Sequence, residues 1–297
     1  MNKTADDKPL ISPFLVLFLG VLAISTGAIF ARMAHHAHPL VISAYRVGIA
    51  AVVLLPLALW RCREEIAILS KGEWRALILS GIFLAIHFAF WISSLFYTSV
   101  ASSVVIADTI PIWTAFLAPI ITHDKVSRKA CLGIGVAFMG GIVISLGDFS
   151  VGKTALWGDS LALIGAWAAT LYFLCGRIAR RRVSLLTYAS LCYSVAAVCL
   201  WGVILFKKLP VAGFSLPTWG AFLGMGLIPQ ILGHSSYNWA LRYVNPSAVS
   251  VALLGEPVGS SILAFLLWKE KITLLTLAGG ILILLGIFIV AHHSGRK

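Results

Sequence analysis

The chain has 297 residues, of which 60% are hydrophobic and 11% are charged. Soluble domains carry about 25% charged residues, so this composition excludes a soluble protein and indicates an integral membrane protein. The formal net charge of +12 does not indicate a nucleic-acid partner, because the basic residues lie in short clusters between apolar runs. The five cysteines have neither disulfide nor metal-ligand spacing, and no cofactor is predicted.

Ten apolar runs follow one another along the chain. The length of each is close to that of a helix that spans a bilayer, about 20 residues. They are 11–32, 39–60, 74–96, 99–121, 129–147, 157–177, 184–206, 217–241, 246–267 and 273–292. The connections between them are short and carry charged, histidine, glycine or proline residues, which leaves no room for a soluble domain. The sequence therefore predicts an all-α integral membrane protein with ten transmembrane helices.

The chain contains an internal repeat. The segment 97–143 aligns without a gap with 243–289, and the pairs that mark specific backbone events coincide: Pro111 with Pro257, Lys125 with Lys271, Gly133 with Gly279, and Gly140 with Gly286. We therefore predict two repeats of five helices, 1–147 and 148–297. Because five is odd, the repeats must cross the membrane in opposite directions, which is the inverted-repeat plan of secondary transporters, with the substrate site between the halves.

The orientation of the chain follows from its Lys and Arg residues. With the N-terminus inside, sixteen of the 23 lie on the inner side and six on the outer side, while Arg46 lies within a span. Basic residues concentrate on the cytoplasmic side of membrane proteins. We therefore predict that both termini are cytoplasmic and that the protein is a multi-pass protein of the cell inner (cytoplasmic) membrane.

Polar side chains within the spans are the candidates for a binding site. An ionisable residue at membrane depth costs about 2.5–3.5 kcal/mol on insertion scales and usually faces an interior cavity. His87 and Trp91 share one helical face, and three further polar residues repeat at every fourth position of the eighth span. The predicted substrate-binding residues are Arg46, His87, Trp91, Gln230, His234 and Asn238.

Two carboxylates lie beside prolines in equivalent spans of the two repeats. Asp108 lies one turn before Pro111, and Glu256 directly precedes Pro257. A proline inside a span removes a backbone hydrogen bond, so we predict helix kinks at both prolines. Asp108 and Glu256 are predicted as proton-coupling groups or as charge partners of the substrate.

Each of these residues also has a structural interpretation. Arg46 would form an ion pair with Asp108 or Glu256 that serves only stability, since an unpaired charge at this depth is hard to tolerate. The His234 ring would make an interhelical hydrogen bond. The glycines at 133, 140, 279 and 286 are interpreted as helix-packing residues, because glycines seven apart smooth one helical face.

Two motifs indicate functions that their context excludes. The segment Gly147–Thr154 fits the phosphate-binding pattern G-x-x-x-x-G-K-[ST], but it follows a predicted membrane helix instead of a strand and lies on the predicted outer side. We interpret it as a coincidence. The histidines at 35, 36, 38, 292 and 293 lack cysteine or carboxylate partners at fixed spacing, so no metal site is predicted.

Several short segments carry a resemblance to a known family. They are the run Ala101–Val105 ahead of Pro111, the segment His123–Ser127, Gly133, and in the second half Pro246–Val249, Gly255–Pro257, Lys269–Ile272 and Gly279. These segments and the five-plus-five plan resemble the drug/metabolite transporter superfamily, in particular its EamA-type members, over nearly the whole chain. The resemblance implies secondary transport, often export of amino acids or related small metabolites, by rocking of the two halves.

The resulting hypothesis is a carrier that works by alternating access. Arg46 would hold a substrate carboxylate, Trp91 would contact its apolar part, and Glu256 or Asp108 would hold an amine or exchange protons. An importer of a nucleoside-like or cationic metabolite is the alternative, followed by a non-transporting membrane scaffold. No convergent catalytic set is present, so an enzyme is not predicted. Expected partners are a small-molecule substrate, protons and the lipid bilayer, and the sequence leaves open whether two copies form a homodimer.

Overall fold

The computed structural model describes residues 9–98, 103, 106–107, 109–145, 153–269 and 272–294, and within these ranges all regular structure is helical. The helices are α1 (Pro13–Met33), α2 (Pro39–Arg61), α3 (Arg63–Ala67), α4 (Lys71–Ser94), α5 (Ile110–Ile121), α6 (Arg128–Ser145), α7 (Lys153–Arg180), α8 (Leu185–Phe206), α9 (Leu216–Met225), a π-helix (Gly226–His234), α10 (Ser235–Ala240), α11 (Pro246–Leu253), α12 (Glu256–Trp268) and α13 (Leu274–Ser294).

Seven stretches in the described ranges are long and apolar enough to cross a membrane: α1, α2, α4, α7, α8, α11 together with most of α12, and α13. The predicted all-helical membrane protein is thus confirmed as a multi-pass protein. The three other predicted spans correspond to the short apolar helix α5, to α6, and to the continuous helical stretch 216–240, which we call the 216–240 rod. The count of ten spans and the location of the termini stay predictions.

Short polar side chains begin several of these helices. Ser70 accepts a hydrogen bond from the backbone N–H of Glu73, whose carboxylate in turn accepts from the backbone N–H of Ser70. Asn245 accepts from the backbone N–H of Ala248 at the start of α11. Such caps satisfy backbone donors that the first helical turn leaves without partners, and so favour the start of α4 and α11 at these residues.

The last helices of the two repeats, α6 and α13, pack closely and run antiparallel. Gly133 lies against Gly286, and Gly140 lies against Gly279, where an added Cβ would come within 2.5 Å of the Gly279 carbonyl oxygen. The interpretation of these four glycines as helix-packing residues is confirmed. In the sequence alignment Gly133 corresponds to Gly279 and Gly140 to Gly286. The two glycine contacts are therefore equivalent, as expected for an inverted repeat.

The other helices interleave the two repeats. We call α4, α5 and α7 the first body, because α7 packs on both α4 and α5. We call α1, the 216–240 rod and α12 the second body, because α1 packs on both the rod and α12. Each body contains helices from both repeats. The packing therefore crosses the boundary between the predicted repeats, because α4 packs on α7 and α1 packs on the rod; the division into two repeats stays a prediction.

Candidate functional site

Arg46 lies at the centre of the molecule on α2, between the two bodies, with only 3% of its surface exposed. Its Nε donates to Oε1 of Gln230 over 2.8 Å, and its guanidinium lies 4.2 Å above the ring of Phe88. The terminal Nη2 has no hydrogen-bond partner in the described part of the chain. The Arg46 guanidinium is thus fixed by a hydrogen bond at Nε, while Nη2 can donate to a ligand.

The π-helix positions two further polar side chains beside Arg46. It contains Pro229, which has no backbone N–H to donate and so disturbs the regular α-helical hydrogen bonds. Gln230 and His234, predicted to share one face, are both buried within it. The Gln230 Nε2 and the His234 Nδ1 are without partners among the described residues. Short π-helical segments are frequent at functional sites, and this one lies where the polar stripe was predicted.

An aromatic wall from α4 faces these groups. The His87 and Trp91 rings are stacked, 5.9 Å apart between centroids and 8° from parallel, so the predicted shared face is confirmed. The His87 Nδ1 donates to the carbonyl oxygen of Gly165 over 2.9 Å. Phe88 meets the ring of His234 edge to face at 5.3 Å. The wall therefore joins the first body to the second directly at the site.

Asn238, also predicted as a substrate ligand, is engaged by two tyrosines. Its Oδ1 accepts from the Tyr172 hydroxyl over 2.7 Å, and its Nδ2 donates to the Tyr193 hydroxyl over 3.1 Å. Asn238 is fully buried. These contacts connect α7 and α8 to the rod. In the described structure the Asn238 amide therefore stabilises the packing of these helices around the site. The sequence reasoning missed Tyr193, which lies in an apolar run without any spacing signal.

Glu256 opens α12, directly after a short interruption between α11 and α12. The backbone N–H groups of Leu254 and Gly255 donate to carbonyls three residues earlier, so one tight turn replaces the α-helical pattern. Pro257 therefore lies in the first turn of a new helix, where its missing N–H costs nothing, and the predicted kink takes the form of a break. Pro111 has the same place at the start of α5.

Glu256 and Arg46 attract each other electrostatically across the site. They do not form the structural ion pair that the sequence left open: within the described ranges, the ion pairs join Asp124 to Arg177 and Arg181. The Tyr237 side chain is close enough to Glu256 for the two to interact electrostatically. Its buried hydroxyl has no hydrogen-bond partner in the described ranges. Asp108 lies outside the described residues, and its predicted role stays a prediction.

Six buried polar groups have no hydrogen-bond partner among the described residues, and each of them is able to donate. Three of them can only donate hydrogen bonds, namely Arg46 Nη2, Trp91 Nε1 and Gln230 Nε2. A buried polar group without a partner costs about 1–3 kcal/mol, so such a cluster is typical of a site that a ligand completes. The bias towards donors fits a ligand rich in acceptors, such as a carboxylate.

Comparison with known proteins agrees with this membrane architecture. Residues 11–146 and 156–291 each match the model of the EamA-like transporter family. The uncharacterised transporter YyaM of Bacillus subtilis (strain 168) is 30% identical over 285 residues, which cover 92% of this chain and 91% of that protein. An uncharacterised transporter of Archaeoglobus fulgidus is 28% identical over 66% of this chain and 69% of its own length.

Two further likenesses extend the comparison. The thiamine-repressible mitochondrial transport protein THI74 of Saccharomyces cerevisiae is 28% identical over 68% of this chain and 58% of its own length. One protein of known crystal structure superposes with a TM-score of 0.78 at 17% identity, over 96% of this chain and 99% of that one, which shows a shared fold. The family resemblance predicted from the sequence is confirmed, and the chain belongs to the EamA-like transporter family.

Proposed function

We propose that this chain is a secondary active transporter that moves a small metabolite bearing a carboxylate, an amino acid or a related compound, by alternating access and in the export direction. The observation that carries the proposal is the buried Arg46, whose Nη2 is unpartnered among the described residues although Gln230 holds its Nε. A guanidinium binds a carboxylate through two parallel hydrogen bonds, so this orientation suits an anionic group.

The remainder of the site supports a substrate with a polar head and an apolar part. Phe88 offers aromatic surface next to Arg46, and Trp91, stacked on His87 of the same helix, adds a second ring and a further donor at its Nε1. Small-molecule sites commonly combine such apolar walls with a few convergent polar groups. Glu256, on the second body, would hold an amine or exchange protons, which would couple transport to the proton gradient.

Import of a cationic or nucleoside-like metabolite is the second candidate. The observation that favours it is the position of Glu256, a carboxylate without an ion pair among the described residues, in a site whose other walls are aromatic. Aromatic faces attract cations and stack on planar rings. In this case Arg46 would serve as the counter-charge of Glu256 instead of as a substrate ligand.

The test is uptake into proteoliposomes from a mixed panel of metabolites, with and without an imposed pH gradient, followed by mass spectrometry. Empty liposomes and proteoliposomes with Arg46→Gln are the controls. We expect a carboxylate-bearing compound to accumulate with the wild-type chain only when the gradient is present, and not with Arg46→Gln. Accumulation of cations that is insensitive to Arg46→Gln would overturn the carboxylate proposal in favour of the second candidate.

A further inference from the structure

A seam of polar contacts joins α7 to the end of the 216–240 rod, from the backbone of Asn238 to about one helical turn beyond it. Arg180 donates from Nε to the Asn238 carbonyl oxygen over 2.9 Å. Arg177 donates from Nη1 to the carbonyl oxygens of Leu241 and Arg242, over 2.5 and 3.1 Å. The last carbonyls of a helix have no partners within the helix and carry partial negative charge. The two arginines therefore bind the C-terminal end of α10 across the boundary between the two bodies.

Asp124, in the connection between α5 and α6, fixes the orientation of Arg177. Its Oδ2 accepts from Nε over 3.0 Å and its Oδ1 accepts from Nη2 over 2.9 Å. The third nitrogen of the Arg177 fork, Nη1, is then directed at the rod. Arg181 lies 3.5 Å from Asp124 and is more exposed, so its contribution is the weaker one.

The charge state of Asp124 is stable near neutral pH. Burial raises the pKa of its carboxyl, but hydrogen bonds from Arg177 and Thr122, together with the charges of Arg177 and Arg181, outweigh burial and hold the pKa below its usual range. Arg181 also donates to the Thr122 carbonyl oxygen over 2.5 Å. The Asp124 carboxyl is thus ionised near neutral pH and accepts hydrogen bonds from Arg177 as a carboxylate.

We propose that this seam is a gate: Arg177, held by Asp124, closes the path between the central site and the end of the molecule at which residues 122–127 and 241–245 lie. The inference rests on the proposed transport function. In this proposal, a substrate that leaves the site towards this end passes between α7 and the rod, which Arg177 and Arg180 hold together. The described structure is the state in which this end is closed, and opening requires Arg177 to release the carbonyls of Leu241 and Arg242.

The gate can be tested without knowledge of the substrate. His234→Cys places a thiol in the central site, and a membrane-impermeant maleimide is added to oriented vesicles from each side in turn. Mass spectrometry of the peptide that contains position 234 reads the rate of modification at that position alone. Adding Arg177→Gln should raise the rate from the gated side by about tenfold or more, because the closed state loses charge-assisted hydrogen bonds.

Two matched variants control this measurement. Arg182→Gln removes an exposed arginine from the same end of the molecule and should leave the rate unchanged. Arg177→Lys keeps the charge but lacks the planar fork, and should give an intermediate rate. Equal modification rates in Arg177→Gln and Arg182→Gln would overturn the gate, whatever the transported compound proves to be.

A covalent closure tests the gate in the opposite direction, by holding this end of the molecule shut. Arg177→Cys and Arg242→Cys are introduced together and joined by a short reducible bis-thiosulfonate, which replaces the hydrogen bonds of Arg177 with a covalent link. We expect the linked protein to be labelled at position 234 only from the opposite side, and reduction of the link to restore labelling from the gated side. Labelling from the gated side that persists with the link complete would refute the gate.

Discussion

Arg46 on α2 and Gln230 in the π-helix are joined by a hydrogen bond of 2.8 Å between Nε and Oε1 at the centre of the molecule. The bond uses one of the five donors of the guanidinium and fixes its plane over Phe88. The amide is neutral, so the bond orients the positive charge without cancelling it. This distinguishes the pair from a structural ion pair and makes it testable by a change of charge at Gln230.

Gln230→Glu should weaken binding of a carboxylate substrate by about 10- to 100-fold, since the new carboxylate competes with the substrate for Arg46. Gln230→Met, which removes the hydrogen bond but leaves the charge available, should have a smaller effect. The measurement is the concentration dependence of uptake of the compound found in the metabolite panel. Equal affinities in the two variants would show that the charge of Arg46 does not hold the substrate.

Arg46→Lys should reduce transport by about tenfold or more, although the charge is retained. The ammonium of lysine is a point charge and cannot make two parallel hydrogen bonds to a carboxylate while also donating to Gln230. Initial rates of uptake in proteoliposomes provide the measurement, with the exposed Arg182→Lys as the control for loss of an arginine elsewhere. Wild-type rates in Arg46→Lys would favour the second candidate function, in which Arg46 serves only as a counter-charge.

Glu256→Gln should abolish accumulation driven by a pH gradient while exchange of substrate across the membrane continues. The amide has nearly the shape of the carboxylate but carries no exchangeable charge at this depth. Counterflow and gradient-driven uptake, measured on the same vesicles, separate the two activities. If gradient-driven accumulation persists in Glu256→Gln, the coupling group lies elsewhere, and Asp108 becomes the first residue to replace.

The sequence predicted those features that repeat or that follow helical spacing. The helix-packing glycines, the stack of His87 on Trp91 and the common face of Gln230 and His234 depend on positions within single helices or on the repeat itself. Such features are visible because the periods of a helix and of a repeat are fixed.

Contacts between distant segments could not be predicted in the same way. The seam of Asp124 and Arg177 joins residues 53 positions apart, and the tyrosines that hold Asn238 come from α7 and α8. Pro229 was the one local signal for the π-helix, and it does not distinguish a π-helix from an ordinary kink. The interleaving of the repeats likewise depends on how whole helices pack.

Glu65→Gln should lower the stability of the protein by about 1 kcal/mol, since Glu65 accepts hydrogen bonds from the Ser184 backbone N–H and from the Ser184 and Thr187 hydroxyls at the start of α8. Burial raises the pKa of Glu65, but these hydrogen bonds and the charge of Arg180 outweigh it, so the net shift is downward. A lowered pKa stabilises the folded state above the ordinary value of 4.5.

This stabilisation is lost as the pH falls through the lowered pKa of Glu65, and is constant between pH 6 and 8, a range that lies about 1.5 pH units or more above the ordinary value. Thermal unfolding in detergent as a function of pH checks both statements. Glu64→Gln is the matched control, because Glu64 is an exposed neighbour in the same short helix. A stability difference between the two variants that grew from pH 6 to pH 8 would contradict the assignment.

Gly140→Ala should destabilise the protein by about 1–3 kcal/mol, because the new Cβ would lie 2.5 Å from the Gly279 carbonyl oxygen and no side-chain rotation relieves a contact with backbone. Gly135→Ala, in the same helix, is the control: its Cβ meets no atom within 4 Å, so better helix propensity should leave stability equal or raise it by about 0.5–1 kcal/mol. Thermal unfolding in detergent should therefore move in opposite directions, or at least differ clearly, for the two alanines. If both variants unfold at the same temperature, α6 and α13 are not held at the close distance that the glycine contacts require.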